Sequence, residues 1–523
     1  MIERYVYSPI RKIEDPTLRT IADTAARLVF ENWFYVAAVI VLWRFPYVIA
    51  DLTDTEVMPR RPTGDSAFWQ SEMARALVLA CLAMSYNLLF GFSGIISFGH
   101  ALFFGAGGYI TFILMNEYDP SLQGKALIAV LFIALCAAVF TKVSARTLLT
   151  SVLVSVLLVL VLLPDEGSLS FFQAAGIAVA ISVVISLVSG VVTLRLRGIY
   201  FAMFTLALAE MFWVLAKSGT FRDYTGAEDG LGFRDVLPES LNPTPTFDGS
   251  RLDMYRITVV FFVIVFLAIR RYLNSPVGRV MLAIRENEER ARTIGYNTLF
   301  YKVLTMIFAG IIATLSGLLF VIWATDKRVH PEILSLKYTV DPLLNTLIGG
   351  VGTLTGPVVA TLGLSLGETY LRNETFTLYT SVLGVIKIWQ VLVVFLAGVV
   401  MWALRRYLSI LADWAAERVR PENPIIRGTS DYRRFRRLFF GAVFVILVIA
   451  GLVIGSQVYT GPEANAKVYQ VADLWELFLG ILFVIVVMVL PNGIVGTWNR
   501  IWAERRIRQI EQEIQKTKDA PSD

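Results

Sequence analysis

The sequence predicts an all-α fold, a polytopic transmembrane helical bundle with helices broken by glycine in two halves of the chain. Three observations carry that reading. Hydrophobic residues fill 56% of the 523 positions and charged residues only 17%, against about 25% charged in a soluble domain. Mean hydropathy is +0.63. Apolar runs of roughly twenty residues recur, each long enough to cross a hydrocarbon core of about 30 Å. A disordered or ordinary soluble protein is excluded. A transmembrane barrel needs short alternating segments, whereas residues 152–163 and 259–269 are apolar on every side. Helices are then the spanning option, because each satisfies its own backbone.

Taken in order, spans are expected near residues 33–50, 72–90, 97–115, 125–146, 148–163, 171–194, 199–217, 254–271 and 302–324. Residues 338–371 are long enough for two short crossings around a Gly-rich break. Residues 379–404, 437–458 and 474–495 complete ~14 crossings by window length. Ahead of the first span, Asp15 and Pro16 cap a helix with Leu18, Ile21, Ala25 and Leu28 at interfacial spacing. Glu14, Asp15 and Asp23 make this segment unlike a cleaved signal peptide. The tail, with Ile507, Ile510 and Ile514 among basic residues, reads as a solvated extension of the last span.

The net charge of +5 does not point to nucleic acid, since the basic residues sit in loops between spans. They report orientation. Arg270, Arg271, Arg279, Arg285, Arg290, Arg292 and Lys302 crowd one loop, and Arg405, Arg406, Arg433, Arg434, Arg436 and Arg437 another, so both are expected in the cytoplasm. Residues 219–253 carry seven acids against three arginines, with Pro238, Pro243 and Pro245, and are expected outside. A cytoplasmic N-terminus satisfies every assignment. Cys81 and Cys136 lie in apolar segments without metal-ligand spacing and read as small core residues.

Two glycine-rich elements interrupt the spans: GFSGIISFGHALFFGAGGY at residues 91–109 and GGVGTLTGP at residues 349–357. Glycines let helices approach closely or break, and Gly-interrupted spans in two halves of a transporter point to a substrate site near the midplane. Gly94, Gly99 and His100 in one half, with Gly350, Gly352 and Gly356 in the other, are the candidate substrate pathway. His100 and Glu210 are ionisable groups at membrane depth, where such groups mark function or find a buried partner. Lys387 lies nearer a span end and can snorkel.

In residues 275–295, SPVGRVMLAIRENEERARTIG, Ser275 suits a cap, Pro276 the first helical turn and Gly295 the stop. The segment predicts a short helix between two spans. Glu286 with Arg290 and Glu288 with Arg292 stand four apart with the acid first, and Leu282, Ile284, Ala291 and Ile294 supply an apolar face.

Together with LRLRGIYFAMFTLALAE at residues 194–210, the turn Thr225, Gly226 and Gly230, and LWELFLGILFVIVVMVLPNGIVG at residues 474–496, these blocks resemble the permease family of bacterial and archaeal ABC importers for branched-chain amino acids. The likeness is to the larger of its two membrane subunits and covers roughly residues 72–366 plus the closing span. It implies that Ser275, Pro276, Gly278, Arg279, Ala283, Arg285, Glu286, Glu288 and Gly295 form a coupling element docked on a cytoplasmic ATPase. Glu289, Arg290 and Arg292 stand where the family favours small residues. Residues 372–473 look inserted between a core domain at 33–371 and the closing helix at 474–498, flanked by an N-terminal segment at 1–32 and a tail at 499–523.

The resemblance further implies a second homologous permease, two cytoplasmic ATPase subunits and a periplasmic or extracellular substrate-binding protein, in a prokaryotic plasma (inner) membrane. The chain carries no GxxxxGK[ST] motif. Nothing in it is expected to be catalytic, and no cofactor of its own is expected; ATP and Mg belong to the partner ATPases. Urea or short amides are rival cargoes in the same fold. An ion-coupled secondary transporter, with Glu210 and His100 as its ion sites, is the rival of another class.

Overall fold

The computed structural model describes residues 33–54, 65–117, 169–193, 199–233, 235–243 and 251–372, and scattered positions between 397 and 502. The chain divides into two compact units, residues 1–366 with 490–523, and residues 367–489. The first unit contains nearly everything described below. The expected spans at 125–146, 148–163, 379–404, 437–458 and 474–495, the interfacial helix after Asp15, and the tail lie wholly or largely outside the described residues, as do Cys136 and Lys387.

The described residues form a helical membrane bundle. Its helices are α1 (Trp33–Leu52), α2 (Asp65–Asn87), α3 (His100–Glu117), α4 (Phe171–Thr193), α5 (Ile199–Lys217), α6 (Arg251–Asn274), α7 (Pro276–Glu286), α8 (Glu288–Thr293), α9 (Thr298–Ile322), α10 (Lys337–Gly349) and α11 (Gly356–Arg372). Among the described residues, five stretches are long and apolar enough to cross a membrane: Tyr35–Leu52, Ser66–Phe92, Ile199–Lys217, Arg251–Asn274 and Thr298–Ile322. The protein is multi-pass. As expected, residues 338–371 hold two short helices, α10 and α11, on either side of a Gly-rich turn.

α2 is the centre of the core. Ala74, Ala76, Leu77, Val78, Ala80, Cys81, Leu82 and Ala83 are each fully enclosed, so from Ala76 to Met84 the helix is apolar all round rather than on one stripe. α3 and α9 pack backbone to backbone. A Cβ on Gly107 would lie 1.9 Å from the Thr314 carbonyl oxygen, and one on Gly317 would lie 1.7 Å from that of Phe104, so both positions exclude any side chain. In α1, Pro46 removes the N–H that would bond the Leu42 carbonyl. The hydroxyl of buried Tyr255 on α6 donates to that carbonyl instead, at 2.8 Å, which ties α1 to the bundle where its own ladder is open.

α6 and α9 run antiparallel, joined at one end by α7 and α8. The other end is built on the acidic loop. There Trp323 Nε1 donates to Thr258 at 3.0 Å, Phe112 stacks on Phe233 at 4.1 Å between centroids, and strands β1 (Leu231–Gly232) and β2 (Arg328–Val329) pair antiparallel. The expected Thr225–Gly226–Gly230 turn is formed: both glycines have left-handed φ, +71° and +76°, and Thr225 Oγ1 donates to the Ala216 carbonyl at 2.9 Å.

Lys327, in the connection that follows α9 at this end, is 5% exposed, and its ammonium donates to the Ile322 carbonyl at 2.8 Å. Burial first, then the charge of Arg251, push its pKa down to about 8 against the pull of Asp326. A depressed lysine pKa means that the unfolded chain holds more protons between about 8 and the ordinary 10.5, so stability rises with pH across that window and the cost of the buried charge is full below it. Unfolding of the detergent-solubilised protein, compared with Lys327→Met, is expected to show the wild type gaining about 2 kcal/mol on the variant from pH 7 to pH 10. Parallel curves overturn the assignment.

Candidate functional site

The segment between α6 and α9 forms where the sequence places it, but as two helices. Ser275 Oγ accepts from the Gly278 N–H at 3.3 Å, and Pro276 follows in the first turn. A Cβ on Gly278 would lie 2.5 Å from the carbonyl oxygens of Tyr272 and Leu273, so α7 can fold back on the end of α6 only with glycine there. The single helix expected over 276–295 is interrupted at Asn287, which is extended (φ −158°, ψ 101°) and caps α8 by accepting from the Arg290 N–H. The break explains a second difference. Glu288 pairs with Arg292 at 2.8 Å, but Glu286 forms no ion pair with Arg290 among the described residues, because the interruption takes them out of one helical face. Gly295 ends α8 with φ +102°.

The packed side of the segment is Gly278, Met281, Ile284 and Ala291, against Val280 and Tyr301. Ile294, expected on that side, is 70% exposed, since the break turns α8 away from the line of α7. Pro276, Arg279, Ala283 and Glu286 form an outward stripe at helical spacing. α8 is fastened to α9 by Glu288: its Oε2 accepts from Lys302 Nζ at 2.8 Å and its Oε1 from Thr298 at 3.0 Å. Burial works to raise the Glu288 pKa, but Lys302, Thr298 and Arg292 outweigh it, so the carboxyl stays below its ordinary range.

The two glycine elements meet each other at this same end. After α2 the chain makes a π turn, Leu88–Phe92, and Gly94 turns it with φ +71°. The turn between α10 and α11 has Gly350 at φ +121° and Gly352 at +76°, with the Thr353 N–H on the Gly350 carbonyl at 3.1 Å. A Cβ on Gly91 would lie 2.6 Å from the Gly352 nitrogen, and one on Gly356 would lie 2.6 Å from the Gly349 carbonyl oxygen. Arg285 of α7 lies over both turns: its Cγ is 3.3 Å from the Cβ position of Gly94 and its Nη1 3.0 Å from that of Gly352. The turn closed by Gly493 presses on Gly350, a Cβ there falling 2.4 Å from the Gly350 Cα.

Gly99 and His100 lie further in. His100 is fully buried, with Nε2 3.3 Å from Ser85 Oγ, its ring edge-on to Tyr86 at 5.1 Å, and Nδ1 without a partner among the described residues. The unwound stretch before it and the first turn of α3 are satisfied by hydroxyls from other helices and from the stretch itself: the Phe98 N–H donates to Thr205 Oγ1 at 3.0 Å, the Ala101 N–H to Thr339 Oγ1 at 2.9 Å, and the Gly99 N–H to Ser97 Oγ two residues back at 3.3 Å. Broken backbone survives at membrane depth because protein donors and acceptors close on it. Glu210 stands apart. It is half-buried on α5 between outward-facing Ala207 and Val214, about 140° round the helix from Thr205, and has no hydrogen-bond or ion-pair partner among the described residues. A separate cleft of about 460 Å³ opens at the acidic-loop end beside Met115, Phe171, Pro238 and Leu241.

The family model described as the branched-chain amino acid transport system permease component matches residues 71–164 and 162–396. The chain belongs to this family. Among permeases of the family it is similar to the high-affinity branched-chain amino acid transport system permease protein LivM of Salmonella typhimurium, 22% identical over 316 residues, 57% of this chain and 62% of that protein. LivM of Escherichia coli matches to the same extent. A probable branched-chain amino acid transport permease protein LivM of Methanocaldococcus jannaschii is 30% identical over 106 residues, 20% of this chain and 30% of that one. The match thus spans less than two thirds of the length of the first two relatives, and no solved structure matches the chain.

Sequence reasoning missed Asn87, Thr205 and Thr339. Thr205 is a polar residue in a mostly apolar helix, which was a signal, whereas Asn87 and Thr339 stand on helices that carry several other polar residues and gave none.

Proposed function

We propose that this chain is a permease subunit of an ABC importer that carries branched-chain or other hydrophobic amino acids by ATP-driven alternating access. The single observation behind the reading is the charged segment 275–297, tied to α6 by its cap and to α9 by Glu288, and lying against the glycine turns from both halves of the chain. A rigid, outward-facing element so fastened can pass a partner's movement to the bundle. The stripe Pro276, Arg279, Ala283 and Glu286 is its docking face for a cytoplasmic ATPase. Two such ATPases, holding ATP and Mg, a second homologous permease and an external binding protein complete the assembly in a prokaryotic plasma membrane. The N-terminus is then cytoplasmic, with a core domain at 33–371 and an insertion at 372–473.

Within this reading His100, Gly99 and Glu210 belong to the pathway. A carboxylate without a partner among the described residues, on the outward side of a span, is costly against lipid; a wet path completed by the second permease accommodates it. The test is ATP-dependent uptake of leucine into vesicles holding the chain, its companion permease, the ATPases and the binding protein. Uptake by the chain alone on an ion gradient establishes the secondary-transporter reading instead, and a binding protein that co-purifies with urea or an amide changes the cargo.

A further inference from the structure

We propose that Asn87 is the positioning residue that makes the two glycine turns move as one body under Arg285, so that displacement of the coupling segment reaches both halves of the bundle together. The proposal rests on the ATP-driven reading above and adds to it a part that neither the family nor the motifs assign. Asn87 is the last residue of α2 and is 1% exposed. Its amide spans the α10–α11 turn with both of its groups: Oδ1 accepts from the Gly352 N–H at 3.1 Å, and Nδ2 donates to the Thr353 carbonyl at 2.8 Å. Only one orientation of the amide satisfies both. An apolar residue of similar size leaves a partly buried N–H and a partly buried carbonyl open.

Three separate chain segments converge here. α2 ends in the π turn, a widened geometry that recurs at functional sites. The α10–α11 turn joins two bundle helices. Arg285 covers both, its stem on Gly94 and its guanidinium on Gly352. If α7 shifts, Arg285 bears on both turns, and without the Asn87 bridge each turn can yield separately. The work of the ATPase is then dissipated at the junction.

The measurement is leucine imported per ATP hydrolysed by the complete assembly in vesicles. Asn87→Ala is expected to lower that ratio about tenfold, the scale set by two lost hydrogen bonds, and Asn87→Asp, which keeps the acceptor but loses the donor, to lower it less. Arg285→Ala, at an exposed side chain whose loss leaves the bundle folded, is expected to lower it as well, and the double variant to be no worse than Asn87→Ala alone, since both act through one joint. An unchanged ratio in Asn87→Ala overturns the proposal, as does independent addition of the two effects. So does a fall in import and hydrolysis in equal proportion together with a lowered melting temperature, because that is the mark of a merely structural residue. Those results leave the ATP-driven reading standing when the wild-type assembly is coupled. A wild-type assembly that imports without ATP removes the reading, and the bridge with it.

Discussion

Gly352→Val is expected to bring leucine import by the complete assembly down to about a hundredth of wild type while the chain still inserts in the membrane. Gly352 has φ +76°, a conformation that costs an L-residue about 1–2 kcal/mol, and a β-branched one more. The new side chain would also start 3.0 Å from Arg285 Nη1 and 3.2 Å from the Gly91 carbonyl oxygen. The guanidinium can swing away, but the carbonyl belongs to the π turn and cannot. Strain and overpacking together amount to about 3 kcal/mol, or about a hundredfold in the population of the seated junction. The helices on either side keep their packing, so the loss falls on transport. Gly352→Ala meets the same φ with less bulk and is expected to lose less. Wild-type uptake by the valine variant would remove the junction from the mechanism.

The second large effect is expected from Glu288→Ala. One carboxylate holds Lys302, Thr298 and Arg292, and Lys302 is only 16% exposed. Removing it leaves a half-buried ammonium without its counter-charge and frees α8 from the first turns of α9. Partial solvent screening keeps the local loss to about 1–2 kcal/mol. Import is expected to fall about tenfold, with faster amide exchange confined to residues 288–297. Acid should imitate the variant in direction. The Glu288 pKa is depressed in the folded protein, so the fastening is complete above the ordinary carboxylate pKa and is lost as pH falls through the depressed value. Protection from exchange at 288–297, taken relative to the intrinsic amide rate at each pH, that is unchanged in Glu288→Ala, or equal at neutral and acid pH, would show that the segment is held by something else.

What could be read from residue order was whatever depends on neighbours along the chain. The positions of the described spans followed from apolar run length, the start of α7 from Ser275 and Pro276, and the split of residues 338–371 from the glycines between them. The Glu288–Arg292 pair is four residues long and was legible for that reason. The interruption at Asn287 was not, although the residue is a good cap, because the charged run on either side fits one helix as well as two.

Composition, hydropathy and local caps determined a helical membrane protein with glycine-interrupted helices in two halves and a short charged segment between long spans, and the order of its motif blocks carried the resemblance to the branched-chain permease family. Only the tertiary structure decided that Gly94 and Gly352, more than 250 residues apart in the chain, are neighbours under Arg285, that Asn87 bridges their turns, and that Thr205 and Thr339 close the backbone before His100. Each of those pairings depends on which faces of distant helices meet, and side-chain packing between helices selects those faces without leaving any period in the sequence.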